Sequence, residues 1–314
     1  MERIVDIGTE GLHLSAYRGF LIVAKDRAEI GRVALDDVHA VILHAHGCTW
    51  TGNLVAALAE RGAPIVFCNT NHSPVAVTLP IDGHHGQGAR MRAQWDAGKP
   101  LHKQLWCRIV KAKIVMQGAL LAFHDAPGAG AFDLIARRVR SGDPDNLEAQ
   151  AARRYWPALM GADFRRDRAA DGANALLNYG YAVMRATVAR AIVAAGLHPT
   201  IGIFHANRGN AFALADDLIE PFRPLVDALV VSMLGQGVET LDPSLKRRFA
   251  RLIAFDVRIG DESSPVSIAA QRLAQSLARS FETNASELAL FTPPSTAEWT
   301  ALAAPLDDDD IAGE

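Results

Sequence analysis

The stretch Pro80-Ile-Asp-Gly-His-His-Gly-Gln-Gly88, rich in glycine and poor in apolar residues, divides this chain into two segments with different hydrophobic periods, and a domain boundary is expected there. Before it the apolar residues come in short or alternating runs, at Arg3–Ile7, Gly11–Ala16, Phe20–Ala24 and Val38–His44. That rhythm is expected for strands, whose side chains alternate between faces. A single helix is expected over Thr51–Gly62, with a Thr at its start and a Gly at its end, followed by a buried strand at Pro64–Cys68 and a turn at Asn71-His-Ser-Pro74. After Arg90 the period becomes helical. Helices are expected over Gln104–Phe123, Ala131–Arg140, Asp145–Tyr155, Gly172–Ala195, Asn210–Glu220, Leu225–Leu234, Leu245–Phe255 and Pro265–Phe281. The fold class read from this pattern is α+β. A small N-terminal β-rich domain (1–80) is joined by a linker (81–89) to a larger all-α domain (90–288) and a polar, acidic tail (289–314).

The 49% hydrophobic content over 314 residues is enough to bury real cores. No run approaches the roughly 18 apolar residues of a membrane span, and the start Met-Glu-Arg-Ile-Val-Asp lacks the layout of a signal peptide, so a cytoplasmic location is expected. Cys48, Cys68 and Cys107 lack CxxC spacing and read as reduced thiols. The net charge of −3 hides an internal contrast. Residues 81–220 carry 18 basic and 13 acidic side chains, a net of +5, whereas residues 221–314 carry 8 and 14, a net of −6, because of Glu298, Asp307 to Asp310 and Glu314. A polyanionic partner for the middle of the chain is compatible with that distribution.

The chemistry concentrates where His205 leaves an apolar run and is followed by Asp216, Asp217 and Glu220 in a helical pattern. Like charges one turn apart repel, so such a cluster calls for a cation, a basic partner or full solvation. The following Pro221 is expected to end or bend the helix. A second acidic candidate, Glu148, lies in the first turn of a helix that Asp145 or Asn146 can cap; there a glutamate also complements the helix dipole. One imidazole and two carboxylates form a hard, mostly oxygen donor set suited to Mg²⁺ or Mn²⁺. His44, His46 and Cys48, with Cys68 or His72, form a weaker zinc pattern, since structural zinc sites draw on paired short loops. No GxxxxGK[ST], HExxH or GxSxG motif occurs.

The segments Asn146-x-Glu148-x-x-Ala151-Ala152-x-x-Tyr155-Trp156, Asn178-Tyr-Gly-Tyr181, Gly202-Ile-Phe-His205 and Asp217-Leu-Ile-Glu220-Pro-Phe-Arg-Pro224, in that order and spacing, closely resemble CRISPR-associated protein one, the integrase and endonuclease of CRISPR adaptation. Lys113-Ile-Val-Met-Gln117 and the Asn71–Pro74 turn resemble its type II branch. The resemblance implies Glu148, His205 and Glu220 as the catalytic, metal-binding residues, with Mg²⁺ or Mn²⁺ as cofactor and Asp217 in a supporting place. Many family members carry Asp at the third position, where this chain has Glu220. The resemblance further implies a homodimer that assembles with a dimer of CRISPR-associated protein two. That complex joins protospacer 3′-hydroxyl ends to the repeat of the CRISPR array by transesterification on double-stranded DNA. A type II effector nuclease is a further candidate partner. Arg137, Arg138, Arg153, Arg154 and Arg208 are candidates for phosphate contacts, though arginines on a helix surface also serve simple solvation. A standalone metal-dependent nuclease for branched or damaged DNA is the alternative, and a DNA-binding scaffold with a degenerate site is a third reading.

Overall fold

The computed structural model describes residues 3–69, 74–81, 83–167, 170–205, 207, 209–238 and 243–305. The chain forms two compact units, residues 1–85 and 86–314. Within unit one, strands β1 (Arg3–Ile7), β2 (Leu12–Tyr17), β3 (Phe20–Lys25), β4 (Ala28–Ala34), β5 (Val38–Leu43) and β6 (Thr49–Trp50) precede helix α1 (Gly52–Glu60) and strands β7 (Ile65–Cys68) and β8 (Pro74–Thr78). One sheet runs β1-β5-β7-β8 and a second runs β4-β3-β2-β6. β5 is buried along its whole length, as expected for a strand paired in parallel on both sides, here to β1 and β7. Thr51 caps α1 by accepting the Leu54 N–H. Leu54 and Leu58 of that helix join Leu12, Leu14, Leu21, Val41 and Ile65 in the core of the unit.

Strand β4 escaped the sequence reading because its residues are mostly exposed, leaving no alternation to detect. Asn71, His72 and Ser73 of the expected turn, and with them His72 of the zinc pattern, lie outside the described residues, and Pro74 opens β8. Of the remaining zinc candidates, His44 points its Nε2 at Asp6 Oδ2 at 3.1 Å. Cys48 and Cys68 are buried thiols. Among the described residues no three His, Cys, Asp or Glu side chains converge closely enough to hold a metal.

Unit two contains α2 (Gln87–Asp96), α3 (Lys99–Phe123), α4 (Ala131–Arg138), α5 (Leu147–Met160), α6 (Ala173–Ala194), α7 (Ala213–Leu218), α8 (Arg223–Gly235) and α9 (Pro243–Arg251). A hairpin of β9 (Asp256–Ile259) and β10 (Glu262–Pro265) follows, then α10 (Val266–Thr283) and α11 (Thr296–Ala303). The all-α expectation therefore needs one amendment, because Asp256–Pro265 is a short antiparallel ribbon turned at Gly260, whose φ is +60°. The polar segment read as a tail carries α11, with a capping box between Ser295 and Glu298 and a buried Trp299. A single apolar turn between polar residues gives too little periodicity to announce itself.

Helix α3 is the central strut of this unit. It packs against α4, α5, α8 and the 3₁₀ turn Glu220–Phe222. Leu105, Trp106, Ile109, Val110, Ile114, Leu120 and Leu121 of α3 are buried. Lys113, one of the four lysines of α3, reaches the candidate site.

Candidate active site

Glu148 enters the site from the first turn of α5. Two residues shape that start: Asn146, in the left-handed region at φ +50°, accepts the Ala149 N–H, and Asp143 accepts the N–H groups of Leu147 and Glu148 at 2.9 and 3.0 Å. Three of the helix's first N–H donors are thus satisfied by side chains. Asp145, the other capping candidate, is instead held by Arg140 at 2.9 Å.

Glu220 stands where the chain breaks. α7 ends at Leu218, and Pro221 forces a 3₁₀ turn over Glu220–Phe222 before α8 begins, as the proline predicts. The turn sets Glu220 apart from Asp216 and Asp217, which stay on α7. Asp216 is taken up by Arg185, with Nε to Oδ1 at 2.9 Å, and by Asn210 Nδ2 at 2.7 Å. Asp217 is fully buried and accepts the N–H groups of Ile203, Phe204 and His205 at 2.5, 3.0 and 3.2 Å. Only Glu220 turns toward Glu148.

The two glutamates meet on a lysine. Lys113 Nζ lies 2.7 Å from Glu148 Oε1 and 2.5 Å from Glu220 Oε2. Arg223 Nε lies 2.9 Å from Glu220 Oε1. Burial pushes the Glu220 carboxyl up, but Arg223 and Lys113 outweigh it and hold the group at about 2. Burial likewise pulls the Lys113 ammonium down, and Glu220 with Glu148 more than restores it, leaving it raised. Both groups are therefore charged across the physiological range, and the site is a balanced cluster of ions.

His205 is oriented by Asp217, whose Oδ1 lies 2.6 Å from His205 Nδ1. That hydrogen bond raises the imidazole pKa against the opposing effect of burial, and the charges of Asp217, Glu220 and Asp216 add to the rise. In the neutral ring a proton on Nδ1 facing Asp217 leaves the Nε2 lone pair outward, which is the arrangement of a carboxylate-oriented metal ligand. The structure therefore brings Glu148 and Glu220 together and places His205 within electrostatic reach of Glu220. The three do not close into a ligand set as they stand, since Lys113 holds the position between the carboxylates. The donor chemistry fits a hard divalent cation, and the two carboxylate oxygens already flank one cationic centre.

Behind the glutamates lies a second contact. Tyr155 and Tyr181 donate their hydroxyls to buried Asp227, at 2.7 and 2.5 Å. Tyr155 is seven residues after Glu148 and Asp227 seven after Glu220, so α5 and α8 are tied to each other again beyond the two glutamates. Arg223 also lies over the Tyr181 ring, 4.5 Å from its centroid. Lys113, Tyr181 and Arg223 stood in the sequence only as parts of longer motifs, and Asp227 did not stand out; a lysine within the apolar face of α3 was the available signal. Tyr179 is a core residue, packed against Phe249. Arg137, Arg138, Arg153 and Arg154 are exposed, and Arg208 lies outside the described residues.

Fold and site together define a two-unit α+β protein whose helical unit gathers two glutamates and an oriented histidine from three separate segments. The model of the family "CRISPR associated protein Cas1" matches residues 6–244, and the chain belongs to that family. The CRISPR-associated endonuclease Cas1 of Neisseria meningitidis serogroup C (strain 8013) is 38% identical over 253 residues, which is 79% of this chain and 82% of that protein. Among solved structures, a casposase bound to integration product superposes with a TM-score of 0.79 at 20% identity, covering 99% of this chain and 97% of that one. A chain of a Cas6-RT-Cas1–Cas2 complex superposes with a TM-score of 0.75 at 18% identity, covering 94% of this chain and 36% of that one. The α+β class and the family expected from the motifs are both borne out.

Proposed function

We propose that this protein is a metal-dependent DNA integrase and endonuclease of CRISPR spacer acquisition, with Glu148, His205 and Glu220 as its catalytic and metal-binding residues. The observation that carries the reading is the convergence of Glu148 and Glu220 on one cationic centre, beside a histidine whose Nδ1 is committed to Asp217. In use, Mg²⁺ or Mn²⁺ would be held by these three side chains, polarising the phosphodiester and activating the attacking 3′-hydroxyl. The protein's own groups do the rest. Asp217 fixes the imidazole, the Arg223 and Lys113 cations keep the Glu220 carboxylate ionised, and the 3₁₀ turn at Glu220 carries that carboxylate out of α7. The reaction is a transesterification that exchanges one phosphodiester for another, so no covalent enzyme intermediate is needed and positioning supplies much of the catalysis.

Further observations support the wider reading. The Cas1–Cas2 complex among the structural neighbours favours a Cas2 dimer as partner of a homodimer of this chain, and the type II character of the motifs favours cooperation with a type II effector nuclease. The exposed Arg137, Arg138, Arg153 and Arg154 suit phosphate contacts on double-stranded protospacer and repeat DNA. Among the described residues no helix is long and apolar enough to cross a membrane.

Purified protein with its small partner, given a labelled duplex with 3′-hydroxyl ends, a repeat-containing plasmid and Mg²⁺ or Mn²⁺, should produce joined strands. His205→Ala and Glu220→Ala should each lower joining by at least about a hundredfold, the scale of losing a catalytic metal ligand. Full joining by either variant would sink the proposed site. Cleavage of branched DNA without joining by the native protein would favour the standalone nuclease.

A further inference from the structure

Next to His205 stands an aromatic side chain that the reaction as described does not use. Phe204 is 52% exposed, yet its ring lies flat on the indole of Trp106, which is 1% exposed; the centroids are 4.3 Å apart and the planes differ by 1°. The His205 ring meets both edge-on, at 5.7 Å from Phe204 and 5.8 Å from Trp106, each at 85°. The backbone is fixed as well, because Asp217 accepts the N–H groups of Ile203, Phe204 and His205 together. A scattered exposed phenylalanine needs no explanation. This one is different in lying parallel to a buried indole, on backbone fixed by the same carboxylate that orients the candidate ligand.

We infer that Phe204 is a stacking platform for a nucleobase of the DNA substrate, namely the base of the 3′-terminal nucleotide whose hydroxyl attacks. The inference rests on the integrase reading above. Trp106 covers one face of the phenyl ring, so the outer face is the place for a further flat π-system, and every base offers one. A base inside a duplex is stacked on both faces and paired, and extracting it costs free energy; a base at a strand terminus is stacked on one face only, so its outer face is open to a protein ring. The residue after the platform is His205, so a base stacked there brings its own sugar and 3′-hydroxyl beside the candidate site. Phe204 is thus a positioning residue, acting on the nucleotide and not on the reacting bond.

The test uses the protein with its small partner and a duplex carrying 2-aminopurine as the 3′-terminal nucleotide. Binding should quench the 2-aminopurine fluorescence for the native protein and for Phe204→Trp, and leave it unquenched for Phe204→Ala. Joining by Phe204→Ala should require roughly tenfold more duplex for half-maximal rate, with Phe204→Trp restoring it. A duplex ending in an abasic 3′ nucleotide should lower the native protein to the level of Phe204→Ala and leave that variant unchanged. Joining by the native protein with no quenching, or an abasic penalty equal in native protein and Phe204→Ala, overturns the platform while the integrase reading stands. A loss of self-association in Phe204→Ala, seen by sedimentation, overturns it in favour of an interface between copies. Absence of joining by the native protein with either ion is the distinct signature of a failed integrase reading.

Discussion

Lys113 couples the charges of the site, and its contribution can be separated from that of the carboxylates. Its ammonium is the shared partner of Glu148 and Glu220, with a side-chain exposure of 12%. Replacing it by Met leaves two partly buried carboxylates facing each other, with Arg223 still offsetting Glu220. Removing one partner of a buried ion pair costs on the order of 3 kcal/mol, so Lys113→Met should lower the melting temperature by several degrees in the absence of divalent ions. The same vacancy of charge favours a divalent cation. Mn²⁺ should therefore raise the melting temperature of Lys113→Met by more than that of the native protein; an equal rise in both would show that Lys113 does not compete for the carboxylates. The candidate site was legible as residue types, since carboxylates and a histidine are few and their spacing is informative. Lys113 was not, because an internal lysine in a helix of apolar residues has the same sequence appearance whether it snorkels to solvent or bridges two anions.

The helices are placed by close approaches that admit little variation. At Gly180, in the middle of α6, an added Cβ would lie 2.5 Å from Val226 Cγ1 and 2.6 Å from Phe249 Cε1, so α6 touches α8 and α9 almost backbone to side chain. Gly180→Ala gains helix propensity of about 1 kcal/mol but must displace two packed side chains, and overpacking of that kind costs about 1–3 kcal/mol. The net expectation is a destabilised unit with a melting temperature a few degrees lower, measurable by calorimetry; an unchanged or higher value would mean that α8 and α9 yield freely. Because α8 follows directly from the Glu220 turn and carries Asp227, the variant should also weaken joining more than its stability loss explains. The periodicity of α3, α6 and α10 made these helices readable, and their ends were displaced by only a few residues. The elements that escaped were β4, β6, β8, α2, the β9–β10 ribbon and α11. They are short or exposed, so partners distant in sequence stabilise them more than any local pattern.

Across the whole molecule, acid and base affect stability through the buried Tyr155–Asp227–Tyr181 group. Burial raises the Asp227 carboxyl from its ordinary 3.8 to about 6, in spite of the opposing hydrogen bonds from Tyr181 and Tyr155. Below about pH 3.8 the group is protonated in folded and unfolded chains alike and contributes no pH dependence. Between 3.8 and about 6 the unfolded chain releases its proton first, so stability falls as pH rises, by roughly 3 kcal/mol once the folded group has also ionised. Urea unfolding of the native protein and of Asp227→Asn from pH 4 to 7 should show the native protein losing ground against the variant across that window. Parallel curves would remove Asp227 from the account. By itself the sequence determined the two hydrophobic periods, and hence the α+β class, the family, and which side chains could serve a hard cation. These follow from local spacing and residue chemistry. Only the tertiary structure decided that Glu220 leaves the company of Asp216 and Asp217, that Asp217 serves the imidazole, and that Lys113 and Asp227 tie α5 to α8 at two levels. Those outcomes depend on which groups meet across tens of residues and on how burial sets their charge, and neither is encoded in spacing along the chain.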